Sequence, residues 1–267
     1  MTGWSRALRQ GGARAILLAW TACGALAAFA PAVSAFSDET LERGFIVTVF
    51  GAEVEDVRDA EALRAVKKFT GPIHYHLVST SAVDRRSIVR HFMEQLAASV
   101  ENLDLAETSV FDDAQMVIFL VDRANYRQTI RATVWGGVDT GFLESNACSA
   151  VLATRRTGIE RAYIYLVADE GFEGFAHCMV EEIAQSLGPA NDSDTLPYSI
   201  FNDESELNVF GVFDWFLLNM LYDARIEPGM TVDEVLPLLP AVIADARLRL
   251  PEGLEEPDER GARGAIR

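Results

Sequence analysis

Between Gly174 and Asp203 the chain gathers oxygen-bearing side chains at spacings that could do chemistry: Glu181, Glu182, Gln185, Asn191 and Asp192. On a helix turning about 100° per residue, Phe175, Met179 and Ile183 fall on one apolar face, and Cys178, Glu181, Glu182 and Gln185 form a contiguous wedge beside it. Gly188 ends such a helix as a left-handed cap would, letting Asn191 and Asp192 turn back toward the wedge. Four uses fit these residue types. Glu181 and Glu182 could belong to a solvated face, with an Asx-type turn at Asn191 and Asp192. Gln185 and Asn191 could donate hydrogen bonds to Glu181 in a closed polar network. Glu182, its pKa raised by Glu181 and by the apolar rim, could act as a general base on water. A hard cation such as calcium takes oxygens of the kind that Glu181, Gln185, Asn191, Asp192 and Asp194 supply.

The elements that must position this wedge are legible as periodicities. Phe45–Phe50 is β-branched and aromatic and reads as a short strand, and Glu53–Phe69 has helical spacing. Ile73–Val78 alternates like a half-buried strand, which puts His74 and His76 on one face. Apolar residues at Ile88, Phe92, Leu96 and Val100 lay one stripe on a helix, and Ala114–Val121 is a continuous apolar run of strand length, covered on both faces. Asp122 is placed to cap a short helix carrying Tyr126 and Ile130. Ala147–Ala153 and Ala162–Ala168 read as strands around a hairpin turn at Arg155–Gly158. Val212–Tyr222 reads as a buried helix in which Asp214 makes core polar contacts. Thr231 and Glu234 form a capping box for a last helix, interrupted near Pro237 and Pro240. Four segments follow from this reading: a leader at 1–35, a lead-in strand and helix at 36–69, a main domain at 70–250 and a solvated tail at 251–267.

In the leader, Arg6, Arg9 and Arg14 precede an apolar run that closes on Val33-Ser34-Ala35, the pattern of an exported protein cleaved after Ala35. Its run of about 16 apolar residues is shorter than a spanning helix needs, so no stable membrane span is expected after cleavage. Cleavage removes three arginines and no acid, taking the net charge from −17 to −20. That excess of acid excludes the phosphate-neutralising surface of a nucleic-acid binder. Cys148 and Cys178 are the cysteines left after cleavage, and in a periplasmic or secreted protein such a pair forms a disulfide; a Cys178 nucleophile beside His177 is the alternative.

The motif Glu181-Glu182-x-x-Gln185-x-x-Gly188-x-x-Asn191-Asp192 resembles the zinc-binding motif of the metzincin peptidases, the clan that includes matrixins and serralysins. Glu182 stands at the catalytic Glu, Gly188 at the Gly and Asp192 at the Asp. Glu181, Gln185 and Asn191 stand where the three histidine ligands would be. Ser199-Ile200-Phe201-Asn202-Asp203 resembles the Met-turn, with Phe201 at the methionine and Asp203 where many members carry Tyr. The chain is also similar to a bacterial family of exported, uncharacterised proteins marked by a Cys, then Glu-Glu-x-x-Gln-x-Leu-Gly, then Asn-Asp and Ser-Ile-Phe-Asn-Asp.

The resemblance implies an α+β, metzincin-like domain with a mixed sheet packed against helices that include a central motif helix. Catalytic zinc of this type is held by neutral imidazoles with one position open for water. Carboxamides at two of the three positions are poor replacements, so neither zinc nor another cofactor is expected, with calcium as the metal alternative. The function expected is a catalytically degenerate peptidase homologue that holds a peptide or protein partner in its former cleft. The alternatives are a zinc-independent hydrolase using Glu182 and an exported calcium-binding protein.

Overall fold

The computed structural model describes residues 36–51, 65–136, 138, 140–155, 158–202 and 207–251. The leader 1–35, most of the expected helix over 53–69, the turn residues 156 and 157, Asp203 and the tail beyond 251 lie outside these described residues.

The core of the domain is a mixed five-stranded sheet, which with its helices makes the protein α+β. Its strands are β1 (Ile73–Ser79), β2 (Leu105–Glu107), β3 (Met116–Val121), β4 (Cys148–Arg155) and β5 (Gly158–Val167) in spatial order β2-β1-β3-β5-β4. β2, β1, β3 and β5 run parallel, and β4 pairs antiparallel with β5 at the edge. β3 is buried along its whole length. Its alternation divides it between two apolar layers: Met116, Ile118 and Leu120 join the larger core, and Val117, Phe119 and Val121 the smaller. A parallel strand covered on both faces has no need of polar positions, which is why this run reads as continuous hydrophobe.

The helices are α1 (Asp38–Phe50), α2 (Arg86–Ser99), α3 (Arg123–Thr133), α4 (Thr140–Ser145), α5 (Phe172–Ser186), α6 (Val212–Leu221), α7 (Val232–Val235) and α8 (Leu239–Leu248). Every residue of α6 is buried, and the Thr231–Glu234 capping box opens α7 as expected.

Three expectations are corrected. Phe45–Phe50 is the last half of α1 rather than a strand. Ser37 accepts the Thr40 N–H at 3.1 Å, Asp38 and Glu39 occupy the first turn, and Leu41, Phe45, Thr48 and Val49 repeat at helical pitch into the core. Capping and burial at that pitch outweigh the β-propensity of a six-residue run. Residues 65–69 are not helical: Ala65 bridges to Thr231, the Val66 N–H reaches the Met230 carbonyl at 2.9 Å, and the Lys68 carbonyl accepts the Ile159 N–H at 3.0 Å. An extended chain here satisfies groups on two neighbours that a helix would leave unpaired. Asp122 stands at the N-terminus of α3, but its carboxylate accepts from Ser81 Oγ and the Ala82 N–H, and Asp169 Oδ1 takes the Arg123 N–H at 2.8 Å.

Cys148 on the edge strand and Cys178 on α5 form the expected disulfide, with Cα atoms 5.8 Å apart. It closes a loop of 30 residues, which contributes about 3 kcal/mol through the unfolded chain. Replacing both cysteines by serine is expected to remove that amount, read as a lower midpoint in denaturant unfolding; an unchanged midpoint would contradict the assignment.

Candidate functional site

The candidate site is built on α5, whose inner face is Phe175, Met179 and Ile183, all buried as the helical wheel requires. Gly171 precedes the helix at φ +105°, and Gly188 follows it at φ +136°. At Gly188 the chain comes so close to its neighbours that a Cβ would stand 2.3 Å from the Lys67 carbonyl oxygen and 2.7 Å from Leu221. Only glycine combines that backbone angle with that approach. The turn after the helix is therefore seated on the 65–69 segment and on α6.

From this helix the wedge projects as expected, though its partners differ from the anticipated network. Glu181 pairs with His177, one turn earlier on the same helix, its carboxylate 3.2 Å from Nε2. The amide of Gln185 donates to both carboxylate oxygens of Asp192, at 2.9 and 2.8 Å. Asn191 is buried and turned to α1: its backbone N–H and its side-chain amide both donate to the Thr48 carbonyl, at 3.2 and 2.9 Å. Gln185 and Asn191 thus do not converge on Glu181. A carbonyl in the last turn of α1 has no partner further along its own helix, so an amide from elsewhere completes it. Glu182 is 8% exposed, and its carbonyl accepts the Ser186 hydroxyl. Asp194 is exposed.

The segment that resembles a Met-turn is fixed by one buried acid. Asp214 Oδ1 accepts the Ser199 hydroxyl at 2.6 Å and the Ile200 N–H at 3.1 Å, while Oδ2 takes the Gly211 N–H at the start of α6 at 3.0 Å. Ser199 Oγ in turn accepts the Phe201 N–H at 3.0 Å, and Phe201 is fully buried. Asp214 is the core polar contact expected of it. Burial raises its pKa to about 7, against the opposing pull of these hydrogen bonds.

The sequence reading missed the His177–Glu181 pair, although their i, i+4 spacing signals it. His177 is held above the ordinary imidazole value, first by the Glu181 carboxylate and then by the Leu207 carbonyl, with burial opposing. Thr48 and Lys67 act through backbone carbonyls, and no side-chain type marks them. His76 is engaged with the Thr108 carbonyl at 2.8 Å, and His74 is exposed.

At the three positions that resemble zinc ligands the donor set is one carboxylate and two carboxamides, the latter weak donors for zinc. The fit to that metal is poor on this chemistry. Among the described residues no group of three or more His, Cys, Asp or Glu is placed to hold a metal ion. Among them also, no helix is long and apolar enough to cross a membrane.

The raised pKa of Asp214 makes stability pH-dependent in a definite direction. A carboxyl that holds its proton more tightly in the fold than in the unfolded chain stabilises most below about pH 4, and that contribution is lost as pH rises through about 7. Asp214 by itself is expected to lower the unfolding midpoint between pH 4 and 6, against the opposite contribution of carboxyls such as Asp223 whose folded values are lowered. Asp214→Asn is expected to be less stable, because a donor faces the Gly211 N–H, yet to lack that lowering over that range. An unaltered slope in the variant would contradict the role given to Asp214.

No curated protein and no solved structure matches the chain. A family model described as a protein of unknown function (DUF2927) matches residues 38–241, from the first turn of α1 into α8, and so includes the whole sheet, the motif helix and the Asp214 anchor. The chain belongs to that family.

Proposed function

We propose that this protein is an exported, catalytically degenerate relative of the metzincin peptidases, which holds a peptide or protein partner in the former active-site cleft without cutting it. The observation that carries the reading is the fate of the three ligand-equivalent side chains. Glu181 is paired with His177, Gln185 with Asp192, and Asn191 with the Thr48 carbonyl. Where a metal would cross-link the helix to the loop after it, the Gln185–Asp192 contact spans the same two elements. Glu182 stays on the wedge, but a general base alone does not polarise a carbonyl.

Export is supported by the leader pattern at 1–35 and by the Cys148–Cys178 disulfide, a bond that persists in oxidising compartments. The reading is in keeping with a mixed sheet that has a helix, α5, against β4 and β5, and with a Ser199–Phe201 turn tied to Asp214.

The test is retention and cleavage of a displayed peptide library by the mature protein. Peptides are expected to be retained intact, and Gln185→Ala combined with Asp192→Ala is expected to weaken retention about tenfold, or 1.4 kcal/mol. Hydrolysis that Glu182→Gln abolishes would overturn the reading in favour of an active hydrolase, and a library from which nothing is retained would overturn partner binding.

A further inference from the structure

A cavity of about 250 Å³ opens between α1 and the segment 195–198, and none of the wedge side chains of α5 lines it. Its floor is apolar, made by Leu196 and Phe213, which are buried. That floor is held in place. The Leu196 carbonyl accepts the Ser199 N–H at 3.1 Å and the Asn202 side-chain amide at 3.2 Å. The Phe213 ring stands edge-on to Phe36 with centroids 5.0 Å apart. Tyr198, 53% exposed, forms an open wall whose ring also leans on Phe36, at 5.8 Å.

The rim carries one acid and one base. Glu39 and Arg43 lie one turn apart on α1, and both are exposed and both line the cavity. Among the described residues neither makes an ion pair or a side-chain hydrogen bond, whereas the neighbouring Asp38 is taken up by Arg247 at 2.8 Å. An acid and a base at this spacing attract each other only weakly on an exposed helix, so a ligand with stronger claims on both displaces that attraction at little cost.

We propose that this cavity binds a free α-amino acid with a large apolar side chain. Glu39 receives the ammonium group, Arg43 receives the carboxylate through paired N–H donors, and the side chain covers Leu196 and Phe213 beside the Tyr198 ring. A ligand with both charges on one carbon matches side chains that are neighbours on one helix face. The cavity is smaller than the about 300–1,000 Å³ of pockets for drug-sized molecules, which suits one amino acid rather than a longer peptide. The net charge of −17 also selects among ligands, because it opposes a simple anion but not a neutral zwitterion. The wedge of α5 plays no part, so the site stands or falls apart from the peptidase likeness.

The test is a titration of the whole protein with L-phenylalanine to about 10 mM, followed through the Leu196 methyl resonances. These methyls are expected to shift and saturate. Phenethylamine, which lacks the carboxylate, and 3-phenylpropanoate, which lacks the ammonium group, are each expected to bind about tenfold more weakly. Arg43→Gln is expected to leave phenylalanine no better bound than phenethylamine, and Glu39→Gln to leave it no better bound than 3-phenylpropanoate. Both positions are exposed, so neither exchange disturbs the core. Leu196 methyls that do not move, an amine or an acid that binds as tightly as the amino acid, or variants that keep the wild-type preference would each overturn the site.

Discussion

The close approach of Gly188 to the Lys67 carbonyl is the contact on which the geometry of the site depends. It sets where α5 ends, and with it the direction in which the chain leaves toward Asn191 and Asp192. No other residue type occupies that position without displacing either the 65–69 segment or Leu221. The Cys148–Cys178 bond ties the middle of the same helix to the edge strand. Together they fix α5 along its length, so the side chains of its outer wedge have defined places before any of them finds a partner.

From that seating the polar contacts follow in sequence. The turn carries Asp192 to Gln185 and sends Asn191 to the open carbonyl of Thr48, so α1 is bound into the site although it is remote in the chain. Asp214 collects donors from Ser199, Ile200 and Gly211 and so joins the turn before α6 to the helix itself. A fully buried acid is costly when charged, and three donors reduce that cost without removing it. The result is a turn at Ser199–Phe201 tied to the start of α6 by a buried titrating group.

Much of this was legible in the sequence because it repeats. The continuous apolar run at Ala114–Val121 marked a strand covered on both faces, and the inner face of α5 followed from Phe175, Met179 and Ile183. Cysteine arithmetic gave the disulfide. What escaped was set by the tertiary fold. Phe45–Phe50 has the composition of a strand, yet it is buried at helical pitch beside Phe213 and Leu217, where Gly44 lets α1 come close. β2 is three residues long, too short to show a period. The partners of Asn191 and Gly188 are carbonyl oxygens of Thr48 and Lys67, and a carbonyl is common to every residue, so no pattern of side chains marks them.

The central claim of the proposed function is that Glu181, Gln185 and Asn191, at the positions that resemble zinc ligands, are engaged by partners within the protein rather than by a metal. Metal analysis of the purified mature protein, paired with thermal unfolding before and after chelation, addresses it most directly. The account predicts less than ~0.1 zinc per chain and a melting temperature that chelation shifts by less than ~1 °C, since a group that binds the folded state would stabilise it by mass action. One zinc per chain, with a melting temperature that falls on chelation and recovers on adding the metal back, would contradict it.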